Sequence, residues 1–170
     1  MYFCDLIRAT VLSTAAGGSA LGAIAVLASA ADDDRLTLIV CACWWPLALV
    51  TGLWLGRPKR AAEAMRPLLS RARTSTELPT DRPERIALAR LWPIGAFTLV
   101  AGIAGIFFPG VAAIGAGYGL AVAMSWRGRE RAVDAIEGRD GVRFYVETGS
   151  TFEPVSLVRS PGLKRGRSVR

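Results

Sequence analysis

Histidine is absent from the 170 residues, and cysteine occurs three times, at Cys4, Cys41 and Cys43. These scarcities remove the side chain that most often serves as general base near neutral pH and leave few ligands for a structural metal. Cys41-Ala42-Cys43 sits inside an apolar run with no further ligand type beside it, so it reads as two small lipophilic side chains rather than a redox or zinc pair. GxSxG and Walker-type glycine loops are also missing, which removes the usual nucleophile and phosphate cradle. No catalytic, cofactor-binding or metal-ligating residue is therefore assigned, and no cofactor is expected. Charge has gaps as well: positions of about 9–30, 36–56, 91–108 and 110–126 contain no Asp, Glu, Lys or Arg.

What fills those gaps is hydrocarbon. Hydrophobic residues make up 52% of the chain, mean hydropathy is +0.34, and the apolar positions come in blocks. A bilayer core of about 30 Å needs roughly 17–25 helical residues, which the first two blocks supply and the last two approach. Every peptide group inside lipid must be bonded within the chain, and the blocks lack the alternation of barrel strands, so helices are expected. The expected fold class is an all-α membrane protein: a four-helix transmembrane domain over 1–126, and a small cytoplasmic helix-plus-β-hairpin appendage over 127–163. Cleavage after Ala28-Ser29-Ala30 would remove the first span. An uncleaved first helix is expected, because its apolar run exceeds a signal-peptide core and Asp5 accompanies Arg8.

The net charge of +7 is unevenly placed. Segment 57–90 carries nine Lys/Arg against four acids, and 127–170 carries ten against six, whereas Asp32-Asp33-Asp34-Arg35 is acidic. Cationic flanks stay on the cytoplasmic side, so the 57–90 loop, the tail and both termini are expected there, with the Asp triplet outside. Trp54, Trp92 and Trp126 then fall at inner helix ends, where indoles prefer the headgroup zone. Trp44 and Trp45 lie at mid-depth beside Pro46 and are expected to face neighbouring helices above a kink. Phe107-Phe108-Pro109-Gly110 predicts a tight outer turn. Because the legs of that turn are short, a re-entrant hairpin is the alternative to two full crossings.

Thr14, Gly18 and Gly22 recur every four positions, and Gly115 and Gly119 repeat the device, so both rows are expected to be helix-packing faces. Met65, Leu68, Leu69 and Ala72 form a helical stripe opposite arginines, predicting a short interfacial helix despite Pro67. Asp81 and Glu84 have capping-box spacing with Pro83 in the first turn, so the helix that carries the 91–108 span is expected to start there. Helix 110–126 is expected to continue to Glu137 with Gly138 as its stop, and 142–159 to form a hairpin with a long loop. Residues 164–170 read as a disordered basic tail.

Two stretches, Leu91-Trp92-Pro93-Ile94-Gly95-Ala96-Phe97 and Ala135-Ile136-Glu137-Gly138-Arg139-Asp140-Gly141-Val142-Arg143-Phe144-Tyr145-Val146-Glu147, together with Leu157-Val158-Arg159-Ser160-Pro161-Gly162, resemble an uncharacterised group of small four-helix bacterial inner-membrane proteins with a short basic cytoplasmic tail. The resemblance implies a multi-pass protein of the bacterial cytoplasmic membrane and carries no residue role.

Three functional classes remain. An accessory, scaffold or sensor protein with a basic cytoplasmic face is favoured. Its partners would be the bilayer, anionic lipid headgroups met by Arg57, Lys59, Arg60, Lys164, Arg165, Arg167 and Arg170, and a membrane or cytoplasmic protein. A small homo-oligomeric transporter or channel would have to be lined by hydroxyls such as Thr10, Ser13, Thr14, Ser19, Thr37, Thr51, Thr98 and Ser125. A lipid-modifying enzyme would rely on Asp134, Glu137, Asp140 or Glu147, which alternate with arginines as on a solvated helix face. Nucleic acid is not an expected partner, because the bases are scattered among acids and no reading motif accompanies them.

Overall fold

A computed structural model of the chain describes residues 1–74, 83–147 and 156–161. Five helices and three short strands follow in the order α1 (Phe3–Ala31), α2 (Arg35–Leu55), α3 (Pro58–Ser70), β1 (Arg73–Thr74), α4 (Pro83–Phe107), α5 (Pro109–Asp140), β2 (Val142–Val146) and β3 (Leu157–Pro161). Among the described residues three helices, α1, α2 and α4, are long and apolar enough to cross a membrane. Large side chains such as Leu27, Leu36, Leu99, Val100 and Phe107 point outward from them. Apolar exposure on this scale fits hydrocarbon as the surrounding solvent.

Helix α5 is the central post, packing most extensively against α1, next against α2, and also against α3 and α4. Its contact with α1 is backbone on backbone, since a Cβ placed on Gly119 would lie 2.8 Å from the Gly18 Cα. Small residues here let two helices approach without a layer of side chains between them. One antiparallel register then holds along both helices. Gly22 lies near Ala116, Gly18 on Gly119, Arg8 pairs with Glu130 at 4.0 Å, Cys4 with Asp134, and Tyr2 with Glu137. Where α2 meets α5, the indole N–H groups of Trp44 and Trp45 donate to the Ile114 and Ala113 carbonyls at 3.2 and 2.9 Å, so both rings face a neighbouring helix. Asp34 caps α2, accepting from the Thr37 N–H at 3.2 Å and from its hydroxyl.

Several boundaries differ from the sequence expectation. Helix α1 begins at Phe3 instead of near residue 9, whereas α4 begins at Pro83, where the Asp81–Glu84 spacing places its first turn. Gly138 does not stop the long helix. It lies inside α5, and Gly141 closes the end with φ 64°, the left-handed conformation glycine adopts without steric cost. The 57–90 loop contains α3, which starts with Pro58 in its first turn, spans Pro67 and buries Ala61 and Met65. The 142–159 hairpin is present as β2 antiparallel to β3, but β1 adds a third strand parallel to β3, in order β1-β3-β2. Met1 and Tyr2 line the other edge of β2, with the Val146 N–H donating to the Met1 carbonyl at 2.8 Å. Asp81 of the expected capping box and the 164–170 tail lie outside the described residues.

These elements make a second core at the end of the bundle, a cap distinct from the helix packing at mid-depth. Phe3, Leu6 and Ile7 of α1, Met65 of α3, Ile86 of α4, Val133 of α5 and Val142, Phe144, Val146 and Leu157 of the sheet are buried together. Each contributes roughly 1.5–3 kcal/mol relative to exposure in water. Because α1 and α5 run through both cores, the cap is a rigid continuation of the bundle.

Replacing Gly119 with Val should push α1 and α5 apart. The expected loss is about 1–3 kcal/mol, the usual cost of overpacking, read as a lower thermal midpoint in detergent. An unchanged midpoint would show that the Gly18–Gly119 approach does not hold the bundle.

Candidate functional site

The last turns of α5 bring Asp134 and Glu137 to the first turn of α1, three residues apart on one helix face. Glu137 is only 8% exposed. One of its oxygens accepts from the Phe144 N–H at 3.1 Å and the other accepts from the Tyr2 hydroxyl. Beside it the Cys4 thiol donates to Asp134 at 3.1 Å, while the Tyr2 ring lies edge-on to Tyr145 and under the Arg143 guanidinium. Burial pushes the Glu137 carboxyl above its ordinary range, against the lowering pull of the Tyr2 and Phe144 hydrogen bonds. The Tyr2 phenol is raised, by burial first and then by its bond to Glu137.

The ligand atoms of Cys4, Asp134 and Glu137 lie within 4.8 Å of one another, a donor set of the kind that holds a divalent ion. Glu137 already has both oxygens engaged, however, and Cys4 keeps its proton on Asp134. The arrangement works as a polar clasp joining the N-terminus, α5 and β2. Sequence reasoning missed it, since Glu137 was expected on a solvated face. The sequence distance between Tyr2 and Glu137 left no local signal.

Below the clasp, α1, α4 and α5 diverge around a cleft of about 520 Å³, within the 300–1,000 Å³ range of ligand pockets. Its walls include Thr10, Thr14, Ile94, Thr98 and Val122, with Arg90 and Trp126 at the cap end. The wall hydroxyls are spent inside their own helices: Thr10, Thr14 and Thr98 each donate to the carbonyl four residues earlier at 2.8 Å. Ser13, Thr51 and Ser125, outside the cleft, are bonded in the same local way. The cleft is therefore apolar in effect along its length and cationic at one end.

Of the proposed lipid-contacting bases, Arg57, Lys59 and Arg60 are exposed at the α2–α3 junction, with Arg60 stacked 3.6 Å above the Trp54 ring. Lys164, Arg165, Arg167 and Arg170 lie outside the described residues. The sheet supplies basic residues not proposed as lipid contacts from sequence: Arg73 on β1, Arg143 on β2 and Arg159 on β3 are all exposed. Of the packing residues, Thr14, Gly18 and Gly22 lie on α1, and Gly115 and Gly119 lie on α5. Gly18 meets Gly119, Gly22 meets Trp45 and Ala116, and Gly115 meets Leu21.

No family model, curated protein or solved structure matches the chain, so the resemblance noted for 91–97, 135–147 and 157–162 receives no further support. The class rests on the architecture itself. Three helices long and apolar enough to cross a membrane, packed around a central post, point to a multi-pass membrane protein.

A buried carboxyl with a raised pKa favours folding while protonated. Its contribution is complete below the ordinary Glu range near 4.3 and is lost as pH rises through the raised folded value. The thermal midpoint of the cap should fall across that rise, and Glu137→Gln should flatten the fall. Equal slopes in both proteins would remove Glu137 as the titrating group.

Proposed function

We propose that this chain is a membrane accessory or scaffold protein that holds a rigid basic cap against the cytoplasmic face of the bilayer, where it engages a protein partner. The observation that carries this reading is the sheet with one exposed arginine per strand, joined to the bundle through the unbroken α5. A hairpin alone is marginal in water, whereas this sheet stands on a buried core continuous with membrane helices. By register Arg73 and Arg143 lie on one face of the sheet and Arg159, opposite Phe144, on the other, and the core beneath holds all three at a fixed position, as docking requires. Neither the pore nor the enzyme alternative has a comparable observation in its favour.

The same reading takes α5 as a fourth crossing in a bacterial inner membrane, with both termini cytoplasmic. In support, α4 and α5 are continuous helices of 25 and 32 residues whose uncharged parts, 91–107 and 109–126, are about 26 and 27 Å long, close to the roughly 30 Å hydrocarbon layer. Lys and Arg in 57–90 and 127–170 supply the orientation argument. A Gly110→Cys variant in a Cys-free background should react with an impermeant thiol reagent added outside cells. Absence of labelling from outside, with labelling after permeabilisation, would favour a re-entrant hairpin over full crossing.

The partner reading is tested by crosslinking in native membranes. A protein captured by the wild-type chain should be lost when Arg73, Arg143 and Arg159 are changed together to Glu, with membrane insertion unaltered. Capture that is insensitive to the three reversals, or no capture at all, would overturn the docking role of the sheet.

A further inference from the structure

We propose that the cleft between α1, α4 and α5 is a binding site for one acyl chain of an anionic phospholipid, with the lipid phosphate held at Arg90. This inference rests on the membrane assignment and is independent of the docking role given to the sheet. Three observations lead to it.

First, the walls suit a methylene chain better than a polar solute. Ile94, Val122 and Trp126 contribute apolar surface, and Thr10, Thr14 and Thr98 have already committed their hydroxyl protons to their own helices. A polar ligand would find few unspent donors along the cleft, whereas a hydrocarbon chain asks for none. Second, the cleft has the right run. Its α1 wall extends from Phe3 to Leu21, about 27 Å of helix, starting at the cap end and passing the middle of the bundle. Lipid tails enter a membrane along this direction, and a cleft left empty would forfeit the dispersion contacts of its lining.

Third, the charge lies at one end. Arg90 lines the cleft at its cap end, and Arg129 stacks over Trp126, another lining residue, with its guanidinium 4.6 Å from the ring centroid. Both arginines are half-buried, so their charge is screened less than that of Arg57, Lys59 and Arg60 on the outer surface. The planar guanidinium fork matches phosphate oxygens. Among the described acids, Glu130 is turned to Arg8 and Asp134 to Cys4. An apolar slot ending in two cations is complementary to a lipid with a tail and an anionic head.

The test uses the full chain purified in mild detergent and offered equal amounts of phosphatidylglycerol and phosphatidylethanolamine with identical tails. Native mass spectrometry reads which lipid stays bound. The wild-type protein should retain one phosphatidylglycerol. Arg90→Gln should lower the preference for phosphatidylglycerol over phosphatidylethanolamine roughly fivefold, the scale of one base near an anionic surface. Val122→Trp should fill the cleft and remove the bound lipid, and Ile94→Trp fills it from α4, so the test does not depend on the folding of one variant. The triple Arg57, Lys59, Arg60→Gln variant should keep its lipid. Equal retention of the two lipids by the wild type, loss in the triple variant matching that in Arg90→Gln, or lipid still bound in both Trp variants would overturn the proposal.

Discussion

The close approach of α1 to α5 is the constraint on which the rest of the structure depends. Where Gly18 meets Gly119 the backbones touch, and from there each turn taken back along α1 is matched by a turn forward along α5. That single register passes from glycine contact to the Arg8–Glu130 ion pair and then to the Cys4–Asp134 and Tyr2–Glu137 hydrogen bonds. Interactions of quite different chemistry are thus bound to one helix pairing. A slip of one turn would part the glycines, leave Glu137 without Tyr2 and lift Phe3 and Ile7 from the cap core. The membrane part and the cap specify each other.

The clasp illustrates how a costly group can be tolerated at that junction. A buried carboxylate loses hydration, which raises the Glu137 pKa, and the Phe144 N–H and Tyr2 hydroxyl offset part of that cost. The donors come from two other segments, the first residues of the chain and strand β2. The desolvated acid therefore binds an edge of the sheet and the N-terminus to the end of α5. An apolar residue at 137 could fill the space but could not choose between sheet registers, whereas an acceptor that needs a specific N–H can.

Much of this organisation is legible in the sequence, and the reasons for the rest are physical. Spans α1, α2 and α4 are readable because lipid forbids charge, so uncharged runs mark them directly. The start of α4 is readable as well, from Pro83 within the Asp81–Glu84 spacing, whereas that of α1 is not, because residues 3–8 continue as helix into the cap. The hairpin follows from local alternation at Val142, Phe144 and Val146, while the parallel pairing of Arg73 with Val158 joins residues far apart in sequence and leaves no local trace. The burial of Glu137 is hidden for a related reason. Residues 127–140 mix acids and arginines as a solvated helix does, and only the arrival of Tyr2 and β2 distinguishes one carboxylate from its neighbours. The cleft, too, is a product of how three helices diverge, although the apolar residues of its α4 wall stand in plain sequence.

The low apolar content of α5 follows from its position. A helix facing lipid on most sides is stabilised by large branched side chains, as in α2, whereas a helix enclosed by neighbours is stabilised by close packing and favours small ones. Ala112, Ala113, Gly115, Ala116, Gly117 and Ala123 are buried on α5, and Trp44 lies over Gly117. Hydropathy alone therefore ranks the most central helix below α1, α2 and α4. The same small residues that weaken its signal admit α1 and α2 to close contact, and near Gly115 and Gly119 they leave room beside α4 for the cleft. In the proposed four-crossing arrangement α5 turns one stripe to lipid, Val111, Ile114, Tyr118 and Val122, while its small residues face its neighbours.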